Sequence, residues 1–266
     1  MGCIIGASDS PVGSPYLLEV VKGNVPGSSF VRKYGRNEVV GTTELVVWDG
    51  GATPITYPQA ASTISVVSSA AADAQNGAGF DQLFLQGLDG NWVLQDEILG
   101  LHATDGTIAV TSAKSYLRLF RSFGMGMGSG FVHATDFPGF NIGDITCTHS
   151  GDLMATIGAG NGQTFMAVYT VPAGMVAYMK SLWVSVLRAS GSSAKGIDVT
   201  FLQANPITGT SQRQSSAGAL NTGGSPFEIP MYDQPIPEKT DICLMVSASS
   251  SGTDVSGRMN FLLEAA

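Results

Sequence analysis

Charge is scarce in this sequence: only 13% of its 266 residues are Asp, Glu, Lys or Arg. Long solvated helices, which need a charged stripe, are therefore disfavoured. The one helical candidate, Ala70 to Gln75, is about one and a half turns and is read as a loop. Cysteine is nearly missing as well. Cys3, Cys147 and Cys243 are odd in number and form no CxxC, which excludes a disulfide scaffold or structural zinc site and fits small buried hydrophobes in a reducing compartment. No run approaches eighteen apolar residues, so no membrane helix is predicted, and the first thirty residues lack the basic-then-apolar order of a signal peptide. Met1-Gly2-Cys3 has Gly6 where a myristoylation site wants Ser or Thr, and no apolar stretch stands before Cys3. A soluble protein with no membrane partner is expected. No unit of 20 to 50 residues recurs, which disfavours a β-helix.

What is abundant is glycine and apolar surface: 34 Gly, 12 Pro and 44% hydrophobic residues, enough to bury a core without staples. Short apolar runs cut by turns cover residues 44–48, 63–68, 80–88, 92–101, 107–111, 116–123 and 144–149. Each is strand length. After the cluster Gly158-Ala159-Gly160-Asn161-Gly162 the runs lengthen, to 164–171, 176–187, 197–204, 227–230, 242–248 and 258–263. Ile197, Val199 and Phe201 alternate with Asp198 and Thr200, and Ile242, Leu244 and Val246 repeat the device, as in sandwich strands. Leu88-Asp89-Gly90-Asn91-Trp92 reads as a hairpin with a two-residue Asp-Gly turn. The fold class predicted is all-β, with two antiparallel β-sandwich (jelly-roll-like) domains: residues 41–157 and 158–266, behind an extended N-terminal arm, 1–40. Tyr16 to Val21 would be an apolar patch on that arm. Residues 205–225, rich in Asn, Thr, Ser, Gly and Gln, read as a loop, fitting a receptor-binding tip and an exposed solvated loop equally.

The formal charge of −8 argues against nucleic acid as a partner. Its distribution is uneven. Lys22, Arg32, Lys33 and Arg36 fall in a stretch from Val20 to Asn37 without an acid, while nine basic and nineteen acidic residues follow from Glu38 onward. A basic arm precedes an acidic body.

No catalytic constellation emerges. Gly124 to Gly130 and Gly158 to Gly162 lack the Gly-Lys-Ser/Thr ending and the following helix of a phosphate loop. Gly126-Met127-Gly128-Ser129-Gly130 places its serine one position late for a nucleophile elbow. His102, His133 and His149 show no spacing to an acid and a nucleophile. Cys147 and His149 would share one face of a strand, but two ligands do not make a zinc site. Asp96 and Glu97 would face opposite sides of a strand, the wrong arrangement for a glycosidase pair. Trp48, Trp92 and Trp183 lie in strand runs and are assigned to the core, and Met125, Met127, Met175 and Met179 to gap-filling or subunit contact. The expectation is a non-enzyme with no cofactor and no metal.

Several stretches nevertheless resemble a family of virion structural proteins of tailed bacteriophages, especially marine ones: GNVPGSSFVRKYGRN at 23–37, Val47-Trp48-Asp49-Gly50-Gly51 with Tyr57-Pro58, Gly87-Leu88-Asp89, GQTFMAVYTVPAG at 162–174, and IPEKTDI at 236–242. The likeness implies a virion component, assembled in the host cytoplasm, and carries over no active residue. The role expected is capsid decoration or cementing, with a tail-associated adaptor or receptor-binding protein as the alternative. Partners would be the major capsid protein or tail components, and the protein itself a homo-oligomer, possibly a trimer. In the arm, Lys22, Phe30, Arg32, Lys33, Tyr34 and Arg36 would bind that partner, aromatics as anchors and cations on an acidic surface. The competing possibility is that the arm lies as a strand or strap on the protein's own body.

Overall fold

The computed structural model describes residues 16–125, 141–188, 195–220, 227–229, 235–249 and 251–266, and these are almost entirely β. One short helix, α1 (Tyr16–Val21), precedes β1 (Ser28–Val40) and β2 (Leu45–Val46). Next come β3 (Ser62–Ser68), β4 (Gln82–Leu88), β5 (Leu94–Gly100), β6 (Val110–Tyr116), β7 (Arg118–Met125), β8 (Ile145–His149) and β9 (Asp152–Ile157). The rest holds β10 (Val168–Thr170), β11 (Met175–Arg188), β12 (Lys195–Asn205), β13 (Thr210–Leu220), β14 (Phe227–Ile229), β15 (Pro235–Ile236), β16 (Asp241–Ala248) and β17 (Thr253–Ala265). They form four antiparallel sheets: β1-β17-β11-β14 with β15 also on β11, β10-β16-β12-β13 with β2 on β16, β6-β3-β8-β9, and β5-β4-β7.

Alternation decides which faces are buried. Ile197, Val199, Phe201, Leu244 and Val246 of the second sheet point inward, as do Leu182, Val184, Met259 and Phe261 of the first. Gly35 and Gly257 stand side by side as register partners. A Cβ on Gly35 would come within 2.1 Å of the Val47 carbonyl and 2.4 Å of the Ala167 amide, and one on Gly257 within 2.2 Å of Leu244. Only glycine fits at Gly35, where the close atoms are backbone, whereas a side chain at 257 would have to displace the end of Leu244.

The third and fourth sheets bury Ile64, Val66, Ile145 and Cys147 on one side and Leu83 and Leu85 on the other. Side chains bridge the gap between β5 and β6. The Glu97 carboxylate accepts the amides of Ala113 and Lys114 at 2.7 and 3.0 Å, and Gln95 Nε2 donates to the Ser115 carbonyl at 2.6 Å. Unpaired edge groups of β6 are thereby satisfied. Asp73, fully buried, ties the connecting loops to this half: it accepts hydrogen bonds from Ser68 Oγ and from the amides of Phe80, Ile142 and Gly143.

Sheet membership changes at the glycine loop 158–162, with strands 62–157 before it and strands 168–265 after it. The apolar core does not divide there: buried side chains of all four sheets, from Val40 to Leu263, belong to one continuous cluster. The arm is also corrected. Residues 28–40 are β1, an integral strand paired with β17 from Ser28↔Glu264 to Val40↔Thr253. Lys33, Gly35 and Asn37 are buried while Arg32 and Tyr34 are exposed, the period-two pattern of a half-buried strand, masked in the sequence by a lysine and an asparagine at inward positions. Asn37 uses its inward place to donate to the Val46 and Gly51 carbonyls, both at 2.8 Å. Tyr16 to Val21 is helical, and Tyr16 Oη donates to Glu264 at 2.8 Å over the start of β1.

Two turns also differ from expectation. Residues 210–220 are not loop but strand, in register with β12 from Asn205↔Thr210 to Lys195↔Leu220. Asn205 folds the tight turn by accepting the amides of Ile207 and Thr208, and residues 221–225 lie outside the described residues. The β4–β5 connection spans Asp89 to Val93: Asp89 Oδ1 accepts the amides of Asn91 and Val93, and Trp92, at φ 63°, takes the left-handed position. An aspartate bridging four residues replaces the two-residue Asp-Gly turn.

Candidate functional site

Strand geometry separates the six arm residues. Phe30, Arg32, Tyr34 and Arg36 alternate onto the outward face of the first sheet, and Lys33 faces the other way. The register extends this face across β17 and β11: Tyr34 pairs with Arg258, and Arg258 with Trp183. The Arg258 guanidinium lies 5.2 Å from the Trp183 ring centroid, a cation–π contact, and Tyr34 Oη is hydrogen bonded to Ser256 Oγ at 3.1 Å. Arg36 is committed inside the protein: it binds Asp254 through Nε and Nη2 and Glu38 through Nη1, and the Asp254 hydrogen bonds hold its pKa above the ordinary arginine value. Arg32 is exposed and forms no ion pair among the described residues. Lys22 is a local clamp, bound to the buried Glu19 at 2.9 Å beside α1. Arg32, Tyr34, Arg258 and Trp183 thus share the outward face of the first sheet. Sequence reasoning missed the last two, since alternation in 175–188 and 253–265 shows that a face exists but not that the strands are neighbours of β1.

Lys33 instead reaches the seam between the two halves. A register shift in the β4–β7 pair matches Gln86 with Arg121 and Gly87 with Leu119, leaving Phe120 without a partner on β4. Lys33 Nζ donates to the carbonyl of Phe120, and stands 5.2 Å from the Phe120 ring. Burial, with the nearby Arg121 charge, lowers its pKa to about 7 from 10.5. Between pH 7 and 10.5 the unfolded chain then binds the extra proton, so stability rises with pH across that window and is indifferent to this group below it. Relative to the variant Lys33→Met, wild type should gain stability between pH 7.5 and 9, by on the order of 1 kcal/mol per pH unit, in urea titrations. A pH-independent difference would mean that Lys33 stays charged in the fold.

Further along the seam, Arg118 of β7 and Asp241 of β16 form a buried bidentate pair, Nε–Oδ1 2.8 Å and Nη2–Oδ2 2.9 Å. Thr170 Oγ1 donates to Asp241 at 2.7 Å, and the guanidinium also donates to the carbonyls of Pro58 and Leu117. The Tyr57 and Trp92 rings lie 5.3 and 4.9 Å from Arg118 Cζ. Trp92 and Trp183 are therefore half-buried platforms for arginines, and Trp48 alone of the three is fully buried. A cleft of about 370 Å³ opens beside the seam, between Tyr57 and the β12–β13 turn. Asp241 and Asn205, two of its polar walls, are already fully engaged by the protein.

Asp49, from the Val47 to Gly51 segment, accepts hydrogen bonds from Asn161 Nδ2 at 3.2 Å and the Phe165 amide at 3.3 Å. Burial outweighs these bonds and raises its pKa to about 6 from 3.8. The folded state binds the extra proton between those values, so this carboxylate costs stability as pH rises from about 4 to 6. Asp49→Asn keeps an acceptor for both donors and should raise the melting temperature at pH 7.5 while changing little at pH 4. Equal melting temperatures at both would contradict the assignment.

The remaining candidates have structural partners. His149 Nε2 lies 3.0 Å from the Ala60 carbonyl, and His102 Nδ1 accepts the Asp105 amide at 3.2 Å. Cys147 shares its buried strand face with His149, but no group of three metal-binding side chains occurs among the described residues. Burial pushes the Cys147 and Cys243 thiols up to about 12. Glu97 caps β6, as above, and Asp96 is exposed on β5. His133, Cys3 and Met127 lie outside the described residues. Among those residues, no helix is long and apolar enough to cross a membrane.

No protein-family model matches the chain, and no curated protein does. Among solved structures it is similar to the infectious bursal disease virus Gt strain structure, at 13% identity and TM-score 0.23 over 94% of this chain and 78% of that one. It is also similar to T=1 particles derived from infectious bursal virus (12%, TM-score 0.23, 94% and 74%) and to an infectious bursal disease virus VP2 subviral particle (11%, TM-score 0.21, 94% and 82%). Superpositions this loose do not establish a common fold.

Proposed function

We propose that the chain is a non-enzymatic structural component of a tailed-bacteriophage virion that decorates or cements the capsid. The observation that carries this reading is where the phage-like stretches lie. Residues 23–37, 47–51, 162–174 and 236–242 are far apart in sequence, yet they meet at one edge of the sandwich. The Ala167 amide bonds to the Val47 carbonyl at 2.9 Å, Asp49 to Phe165 at 2.9 Å, Val171 to Thr240 at 3.0 Å and Lys239 to Val171 at 2.8 Å. Gly35 abuts Val47 and Ala167, and Tyr34 meets Phe165 edge-on at 5.3 Å. Motifs that pack into a single joint are what a shared scaffold leaves in a sequence, and none of them carries a reacting group.

Attachment falls to the outward face of β1 and its neighbours, with Arg32 and Tyr34 exposed and Arg258 and Trp183 beside them. The second reading, a tail-associated adaptor or receptor-binding protein, draws on the cleft beside the β12–β13 turn, where Ile207 is 64% exposed. Quantitative mass spectrometry of purified particles separates the two. Hundreds of copies per particle support decoration, a dozen or fewer support the tail, and absence from the particle refutes both.

A further inference from the structure

The outward face of the fourth sheet carries an apolar row beside a charged one. Across β5, β4 and β7 the register aligns Ile98, Phe84 and Phe123 in one row and Asp96, Gln86 and Arg121 in the next. Ile98 is 55% exposed, and Leu94, on the same face of β5, is 50% exposed. The Phe84 and Phe123 rings lie 4.7 Å apart, and the Arg121 guanidinium sits 4.9 Å from the Phe123 centroid. Asp96 and Arg121 are both exposed and stand two strands apart, about 10 Å at ordinary strand spacing, with Gln86 between them. They are too distant to pair within one chain.

We propose that this face binds a second copy of the chain, around a two-fold axis running along β4 in the plane of the contact. Such an axis exchanges the β5 and β7 sides while keeping each residue's height along the strands. Asp96 of one copy then faces Arg121 of the other, twice over. Ile98 faces Phe123, and the Phe84 side chains meet on the axis. The patch is self-complementary in charge, as an isologous interface requires, and among the described residues Ile98 of its apolar row stays 55% exposed. Three strands offer less than the ~800 Å² per partner of a standard interface, so the association is weak and concentration-dependent. The inference uses only this sheet and is independent of the virion reading.

The test is sedimentation velocity on the full chain over a concentration series from micromolar to hundreds of micromolar, at low salt, with circular dichroism confirming that each variant is folded. Wild type should dimerise. Asp96→Arg and Arg121→Asp should each weaken the dimer by about tenfold or more, since close charge pairs across interfaces couple by at least ~1.5 kcal/mol. The double variant, Asp96→Arg with Arg121→Asp, should recover most of that loss, and Ile98→Lys should abolish association. A wild type that stays monomeric throughout would overturn the proposal. So would an oligomer indifferent to the single variants, or one that the double variant fails to restore.

Discussion

Deleting residues 1–37 should leave a chain that no longer folds cooperatively, recovered as aggregate or as a species without a melting transition. The deletion strips β17 of one of its two partners, from Ser28↔Glu264 to Asn37↔Val255, and opens the sheet edge over Met259 and Phe261, both fully buried. Each such side chain is worth roughly 1.5–3 kcal/mol of burial. It also removes Asn37 and Lys33, the donors to the Val46, Gly51 and Phe120 carbonyls. Each buried acceptor left unsatisfied costs about 1–3 kcal/mol. Together these losses rival the whole stability of an ordinary domain, about 5–15 kcal/mol. A detachable tether predicts the opposite: a soluble truncated protein with the melting temperature of wild type.

The second large effect is expected at the seam. Asp241→Ala leaves the Arg118 guanidinium buried opposite an empty site and should destabilise the fold by about 3–5 kcal/mol, measured by urea denaturation. The joint replacement Arg118→Met with Asp241→Leu removes both charges together and should cost much less than either truncation alone, since no uncompensated charge remains. Asp241→Asn, which keeps the shape but not the charge, should fall between. If Asp241→Ala proves neutral, the pair is solvated and the two halves are not joined there.

Much of this architecture can be read from the sequence. Alternation at Ile197, Val199 and Phe201, and at Leu244 and Val246, identifies sandwich strands whose inward residues are buried as expected. The glycine cluster at 158–162 separates strands 62–157 from strands 168–265, but β1 and β2, which precede it, join the sheets of the later strands. What alternation does not carry is partnership. β1 and β17 are separated by more than two hundred residues, and a strand whose inward positions hold Lys33, Gly35 and Asn37 looks polar on both faces. Those three residues are inward because each meets a backbone group of a segment distant in the chain or across the core, a contact that only the assembled fold creates. The same limit applies to the outward site. Arg32 and Tyr34 stand out as a basic and aromatic pair in the sequence, whereas Arg258 and Trp183 join them only through register. Trp92 and Trp183 look like core residues because they lie in or beside strand runs, and the arginines that cover them, Arg118 and Arg258, come from other strands.

That β1 is a structural strand of the body is the claim on which the site, the seam and the deletion result all depend. Native-state hydrogen exchange of the intact chain tests it directly, because ladder amides exchange only when the strand opens. The amides of residues 29–37 that bond to β17, alternate positions because β1 stands at the edge of its sheet, should be protected to nearly the same degree as those of residues 255–263, and both sets should lose protection together in mild denaturant. Exchange of 29–37 at the rate of an unstructured peptide, with 255–263 still protected, would show that the segment does not belong to the sheet.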